Sequence, residues 1–240
     1  MQPTASSSHV PYIRVSFFFF LIWLVLTWGF YRTYLVFFPS FDGFKPVQHF
    51  HGAMMMTWMA LLIVQPLLIR AGKLSIHRLI GKLTYIIAPL VVVSMFLITK
   101  FGYYKPAPPL SHQEKVGGLA LQAMDIVQFV VFYSLAIVYR RNTYNHMRYM
   151  IGTAIMMIGP GLGRALVIYY HMTFNEAIAY TFYAEMLLSA VFLSSDIFRG
   201  RSYKANTVVL LLIFVHFLLW EFRLYQPWQG IGEFIAKDMF

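Results

Sequence analysis

The sequence predicts an all-α membrane protein with seven transmembrane helices, and composition and segment length both support this. Hydrophobic residues make up 59% of its 240 residues and charged residues only 12%, whereas soluble domains carry about 25% charged residues. Seven segments are apolar over roughly the 20 residues that cross a bilayer. The loops between them are short, so we expect one domain over residues 1–240. The chain has no cysteine, which excludes disulfides, thiolate metal sites and cysteine nucleophiles.

The first span begins after Arg14 with four consecutive phenylalanines, Phe17–Phe20. No small-residue cleavage site follows, so we expect a retained helix and not a removed signal peptide. A polar N-terminal tail at 1–12, a proline-rich external loop at 100–117 and an external tail at 225–240 complete the expected layout. The predicted spans cover residues 15–37, 48–69, 79–99, 118–139, 147–170, 177–197 and 206–224.

Two spans carry patterns that predict how their helices pack. In the second span a set of residues at 3,4 spacing shares one face, which we expect to face the interior. In the fifth span, Gly159 and Gly163 form a small-residue face for close helix packing. Pro160 lacks an N–H and therefore frees the carbonyl of Met156 one turn earlier. The second-span set is His51, Met55, Trp58, Leu62 and Gln65.

The formal net charge is +10, from 19 Lys and Arg against nine Asp and Glu. In an apolar chain this excess is typical of cytoplasmic loops, so we expect no nucleic-acid partner. The denser set of basic loops predicts a cytoplasmic N-terminus, an external C-terminus and a basic cytoplasmic rim that contacts anionic lipid. We expect a multi-pass protein of the cell membrane. The dense set is Arg70, Lys73, Arg78, Lys82, Arg140, Arg141, Arg148, Arg199, Arg201 and Lys204.

Six ionisable residues inside the predicted spans form the candidate site. All are expected at the membrane midplane or in its outer half, whereas the inner half looks essentially free of charge. An ionisable side chain in a span costs several kcal/mol and by default marks a functional site. The six are Arg32, His51, Asp125, Arg164, Glu185 and His216.

The leading hypothesis is a membrane protein that binds a transition metal or haem b, with a redox function. His51 and His216 would be the ligands, and Asp125 or Glu185 would be a third ligand or a proton acceptor. Histidine with carboxylate suits zinc or iron.

The two arginines of the set have a separate role in this hypothesis. Arg32 and Arg164 would hold an anionic group, such as haem propionates or a substrate carboxylate, through charge-assisted hydrogen bonds. His49 is not expected to share an ion with His51, because residues two apart on a helix point in different directions.

Three alternatives remain open. In a proton-coupled transporter, Asp125, Glu185 and His216 would relay protons and the arginines would bind an anionic solute. In a structural or assembly subunit, the same layer would only fix helix register through buried ion pairs. A separate haem site could lie at the inner rim, with His77 and His146 as axial ligands.

Several segments together resemble a family of predicted bacterial multi-pass membrane proteins, classed as a domain of unknown function. The resemblance spans roughly residues 45–205. It implies a multi-pass protein of a bacterial inner membrane and assigns no catalytic residue. The segments that carry it are His49-Phe50-His51-Gly52, Trp58, Gln65-Pro66-Leu67-Leu68-Ile69, His77-Arg78-Leu79-Ile80-Gly81-Lys82, His146-Met147-Arg148, Gly159-Pro160, Arg164, Asp196 and Arg199-Gly200-Arg201.

Overall fold

The computed structural model describes residues 11–105 and 110–240, and within these ranges the chain is helical with no β-strand. Seven helical segments are long and apolar enough to cross a membrane, which confirms the predicted fold class. The polar tail up to residue 10 and residues 106–109 of the proline-rich loop lie outside the described residues.

All seven spanning segments begin two to six residues before their predicted spans, but α1 (Tyr12–Tyr31) ends six residues before the predicted limit of 37 and α8 (Lys204–Glu221) ends three residues before 224. Capping boxes start two of these helices: Ser111 with Glu114 at α4 (His112–Val138), in the fourth span, and Thr173 with Glu176 at α7 (Phe174–Phe198), in the sixth span. Each box satisfies backbone N–H groups at its helix start. The elements in order are α1 Tyr12–Tyr31, a 3₁₀ turn Leu35–Phe37, α2 Pro46–Arg70, α3 Leu74–Tyr104, α4 His112–Val138, α5 Thr143–Ile155, α6 Ile158–Tyr170, α7 Phe174–Phe198, α8 Lys204–Glu221, α9 Trp228–Phe234 and a π-helical turn Ile235–Met239.

The fifth span consists of two helices, α5 and α6, separated at Met156 and Met157. Pro160 explains the interruption, because its missing N–H leaves the Met156 carbonyl without its helical partner. This span is also the central one: 61% of its most apolar stretch is buried, against 22–33% in the other six. Its two halves have different neighbours, since α5 packs mainly on α4 and α8, and α6 on α1 and α7.

Glycines set the close packing of α6 on both sides. Gly161 meets Gly29 of α1, where a β-carbon on Gly29 would lie 1.9 Å from the Gly161 carbonyl oxygen. Gly159 and Gly163 face Thr181 of α7, so their predicted role as a packing face is confirmed. The contact with α1 through Gly161 adds a second such face, and α6 is therefore held between two helices at backbone distance.

Trp58 packs the second span, α2, against α4 and α5 in the interior of the bundle. Its ring is fully buried, its Nε1–H donates to Thr153 Oγ1 of α5 at 3.3 Å, and its ring meets Phe129 of α4 edge-on at 4.9 Å. Leu62, on the same face, is also buried. The predicted inward-facing stripe is thus confirmed at its two central positions.

Residues 225–240 are more ordered than the tail expected from sequence. Trp228 of α9 donates its Nε1–H to the Val116 carbonyl of α4 at 3.3 Å. The last residue, Phe240, packs its ring against Phe96 and Tyr103 of α3. The chain end therefore folds back over α3 and α4.

The charges divide unequally between the two ends of the bundle. We call the end where α1, α3, α5 and α8 begin the basic end. It holds 11 of the 19 Lys and Arg and one of the nine acids, Asp196, so the whole net charge of +10 lies there. The remaining eight basic and eight acidic residues lie toward the other end and cancel. Such an asymmetry is typical of the cytoplasmic side.

Candidate functional site

Three of the six candidate residues come together from three different helices. Asp125 of α4 and His216 of α8 approach to 3.9 Å between Oδ1 and Nδ1. Glu185 of α7 lies close enough to Asp125 for their charges to interact. We call these three residues the acid–histidine cluster. It is enclosed by the bundle, since Glu185 and His216 are buried, while Asp125 keeps a fifth of its side chain accessible.

The interruption of the fifth span supplies a hydrogen bond to the cluster. The backbone N–H of Gly159, in the first turn of α6, donates to Glu185 Oε1 at 3.0 Å. A helix start leaves such N–H groups without helical partners and favours negative charge. A side chain at Gly159 would place its β-carbon 3.0 Å from the same oxygen, so glycine leaves room for this approach.

His216 is buried without hydrogen-bond partners for either ring nitrogen among the described residues. Phe182 meets its ring edge-on at 4.8 Å, and the backbone of Leu121 lies nearby without completing a hydrogen bond. Leaving a buried polar group unsatisfied costs about 1–3 kcal/mol. His216 therefore has capacity for a proton, a water or a ligand that its protein neighbours do not use.

Polar atoms continue one helical turn from the cluster toward the basic end. Gln128 of α4 donates through Nε2 to the Leu212 carbonyl of α8 at 3.0 Å. Its Oε1 and the hydroxyl of Ser189 are buried without partners in the described part of the chain. Beyond them the interior becomes apolar, where Gly152 packs against Val209.

His51 and Arg164 lie in a second place, on α2 and α6. The Ser94 hydroxyl donates to the Val91 carbonyl at 2.7 Å, so its oxygen accepts from Nδ1–H of His51, at 3.2 Å. This leaves Nε2 of His51 as the free nitrogen. Arg164 lies over the Phe30 ring at 4.5 Å, is close enough to His51 for their charges to interact, and remains accessible.

The other residues near this region point elsewhere. His49 Nδ1 is hydrogen-bonded to the Tyr34 hydroxyl at 2.5 Å, away from His51, as the helix geometry predicted. Arg32 lies over the Tyr169 ring at 5.4 Å, where Trp28 also stacks. The structure thus brings Arg32 to an aromatic surface at the end of α1 and not into the acid–histidine cluster.

The metal and haem hypothesis remains a prediction. Within residues 11–105 and 110–240, no group of three or more His, Asp and Glu side chains is disposed to hold a metal. His51 binds Ser94 and His216 faces Asp125, so the two proposed ligands occupy different surroundings. The inner haem alternative also stays untested, although His77 and His146 are close enough for their charges to interact.

Sequence reasoning missed a charged network in the half of the bundle at the basic end, which was predicted to be the inner half. Arg148 of α5 donates to Asp196 of α7 from Nε at 3.0 Å and from Nη2 at 2.5 Å. Asn206 of α8 donates to the same carboxylate at 2.5 Å, and the Tyr144 hydroxyl also donates to it. Both charged side chains are buried, so the expectation of a charge-free inner half is wrong. The signal was present, since Asp196 shares a helix face with Glu185 and is the one acid at the basic end.

Comparison of the chain with protein-family models, curated proteins and solved structures finds no significant match. The resemblance carried by the sequence segments therefore stays a prediction, and the geometry described above is the basis for a functional assignment.

Proposed function

We propose that this protein is a proton-coupled carrier of a small anionic solute, located in a bacterial inner membrane with its basic end in the cytoplasm. The observation that carries the proposal is the convergence of Asp125, Glu185 and His216 from three helices. Each of these side chains can gain or lose a proton. Neither ring nitrogen of His216 has a hydrogen-bond partner among the described residues, so this ring can accept a proton without breaking an existing bond.

Proton exchange follows from how the cluster is enclosed. Two carboxyl groups in a low-dielectric site are seldom ionised at the same time, because their negative charges repel. His216, with Nδ1 3.9 Å from Asp125 Oδ1, is a second group in the cluster that can accept the proton. The Gly159 N–H supports the ionised form of Glu185. The cluster can therefore hold a variable number of protons while the protein remains folded.

Arg164 supports the choice of an anionic solute. Its guanidinium is accessible, and the nearby His51 keeps Nε2 free of protein partners in its described surroundings. A guanidinium binds a carboxylate or similar group through paired hydrogen bonds. The negative charge of the bound solute and the positive charge of a proton on the cluster would offset each other. Binding of the solute would then favour binding of the proton, which is the physical basis for moving the two together.

Tight helix packing between the acid–histidine cluster and the basic end supports access of solute and protons to the cluster from the opposite end of the bundle. Gly152 of α5 meets Val209 of α8 and Phe132 of α4, with distances of 3.0 and 3.3 Å to a β-carbon built on the glycine. This layer separates the acid–histidine cluster from the Arg148–Asp196 network. A carrier would have to open it, and the interrupted fifth span between α5 and α6 is a suitable hinge.

The experiment is a pH titration followed by infrared difference spectroscopy on the reconstituted protein. The bands of protonated carboxyl groups should appear in the wild type and be reduced in E185Q and D125N, while E221Q, at an exposed helix end, serves as a matched control. When a panel of small carboxylates is supplied outside under an imposed pH gradient, wild-type proteoliposomes with a trapped pH-sensitive dye should acidify inside faster than E185Q proteoliposomes. Identical spectra and identical proton flux in wild type and E185Q would exclude the proposal.

A metal site at the same cluster is the second candidate. The unpartnered ring nitrogens of His216 beside Asp125 favour it, because histidine with carboxylate is a common donor pair for zinc and iron. In that case His216 and Asp125 would hold the metal, and Glu185, whose charge interacts with Asp125, would be a further acid in the cluster.

A further inference from the structure

A cleft of about 220 Å³ opens at the basic end of the bundle, between the start of α1, the start of α5 and the end of α7. Six of its twelve lining residues have polar or charged side chains and six have apolar ones. The cationic lining residues are Arg14, Arg148, Arg199 and Arg201, and apolar side chains such as Phe18, Met147 and Phe192 complete it.

Only one of the four arginines is neutralised. The carboxylate of Asp196 is fully engaged by Arg148, Tyr144 and Asn206. The side chains of Arg14 and Arg199 are exposed.

The remaining three cations have no acidic partner among the residues that the structure describes. No hydrogen bond or ion pair joins Arg14 or Arg199 to another side chain in the described ranges, and Arg201 lies over the Tyr144 ring at 5.7 Å. Three uncompensated guanidinium groups therefore surround one opening. Because like charges repel, this arrangement favours a bound anion.

We propose that this cleft binds the phosphate group of an anionic phospholipid, with the start of its acyl chains against the apolar residues. Guanidinium groups bind phosphate oxygens bidentately. The cleft lies at the end of the bundle, where lipid headgroups and acyl chains meet. A soluble phosphate would use the arginines alone, whereas a lipid also covers Phe18, Met147 and Phe192. This inference does not depend on the proposed transport function.

The test is native mass spectrometry of the detergent-purified protein titrated with phosphatidylglycerol, phosphatidylcholine or inorganic phosphate. Wild type should prefer phosphatidylglycerol. R14Q/R199Q should lose about tenfold in affinity for it, the loss expected for removing charge-assisted hydrogen bonds. R140Q/R141Q is the matched control, because it removes two charges at the same end outside the cleft lining, and it should change affinity less than about twofold.

Two results would overturn the proposal. Equal losses in the two double variants would show general attraction to the basic end and no specific cleft. Binding of inorganic phosphate without preference for phosphatidylglycerol would assign the cleft to a soluble phosphate compound. If R14Q/R199Q aggregates, R14Q alone decides the question, since Arg14 is exposed, and an unchanged affinity in folded R14Q would count against the cleft.

Discussion

The backbone N–H of Gly159 and the carboxylate of Glu185 form a 3.0 Å hydrogen bond that connects the interruption of the fifth span to an acid of α7. Without the interruption at Met156 and Met157, this N–H would be bonded within a continuous helix. The interruption caused by Pro160 therefore also provides the backbone N–H that donates to Glu185 of the acid–histidine cluster. The break between α5 and α6 and this hydrogen bond at the candidate site both follow from Pro160.

The contact between α1 and α6 predicts a strong effect of a single methyl group. G161A should lower the free energy of unfolding by about 1–3 kcal/mol, because its β-carbon would lie 2.9 Å from the Leu26 backbone. G81A is the control, since nothing lies within 4 Å of that position, and it should be neutral or stabilising. Equilibrium unfolding in mixed detergent micelles measures both. Equal stability of G161A and G81A would refute the close packing.

The Arg148–Asp196 pair predicts a large cost for removing one charge. D196N should destabilise the protein by about 3–5 kcal/mol, because it leaves a buried arginine without its counter-charge. R199Q, an exposed arginine three residues away, should change stability by less than about 1 kcal/mol. The same unfolding assay compares them. A D196N protein as stable as R199Q would mean that the pair is not buried as described.

The metal-binding candidate makes a prediction that elemental analysis can test. It requires about one mole of iron, zinc or copper per chain in protein purified without chelator. H216Q should lose this metal, whereas H49Q should retain it, because His49 is bonded to Tyr34 and lies away from the cluster. Metal content that does not depend on His216 would eliminate this candidate and leave the proton-coupled one.

The contact of His112 with Glu233 predicts a pH-dependent attachment of α9. Hydrogen bonds from His112 and Lys237 lower the pKa of Glu233, so this contact contributes stability above the ordinary carboxyl pKa. The contribution is lost as pH falls through the lowered pKa of Glu233 in the folded protein. The protection factors of the α9 amides, which correct for the slower intrinsic exchange at acid pH, should therefore fall at acid pH. E233Q should show lower protection factors at neutral pH and little further acid dependence; an unchanged acid dependence of protection in E233Q would assign it to another group.

The predicted orientation can be tested directly, because the natural chain contains no cysteine. Single cysteines at Ser202, at the basic end, and Asp238, at the opposite end, are both at exposed positions. In intact spheroplasts a membrane-impermeant maleimide should label D238C, and should label S202C only after permeabilisation. The reverse pattern would invert the assignment of the two sides.

The sequence predicts the spans well because each depends on a local apolar run, as in α3, where 79–99 falls inside Leu74–Tyr104. The small-residue face of Gly159 and Gly163 is likewise local. Pairings between helices depend on which helices are neighbours, and a single sequence does not contain that information. The Gly29–Gly161 contact is therefore not predictable from the sequence pattern.

The candidate site, too, could be predicted only where it depends on local sequence. The depth of Asp125, Glu185 and His216 follows from their positions within spans, so their layer could be predicted. Whether His51 joins them depends on the lateral placement of α2, which puts it beside Ser94. Asp196, one residue before the end of the predicted 177–197 span, was missed as a buried charge because the arginine that compensates its burial, Arg148, lies on another helix.

The concentration of the entire +10 charge at one end also determines how the protein responds to the electrical potential of an energised membrane. Moving one elementary charge through 100 mV is worth about 2.3 kcal/mol. Ten charges on the negative side therefore favour one topology over its inverse by roughly 23 kcal/mol at that voltage. The potential alone thus provides a driving force for insertion in one direction that exceeds the roughly 5–15 kcal/mol by which a typical domain is stabilised.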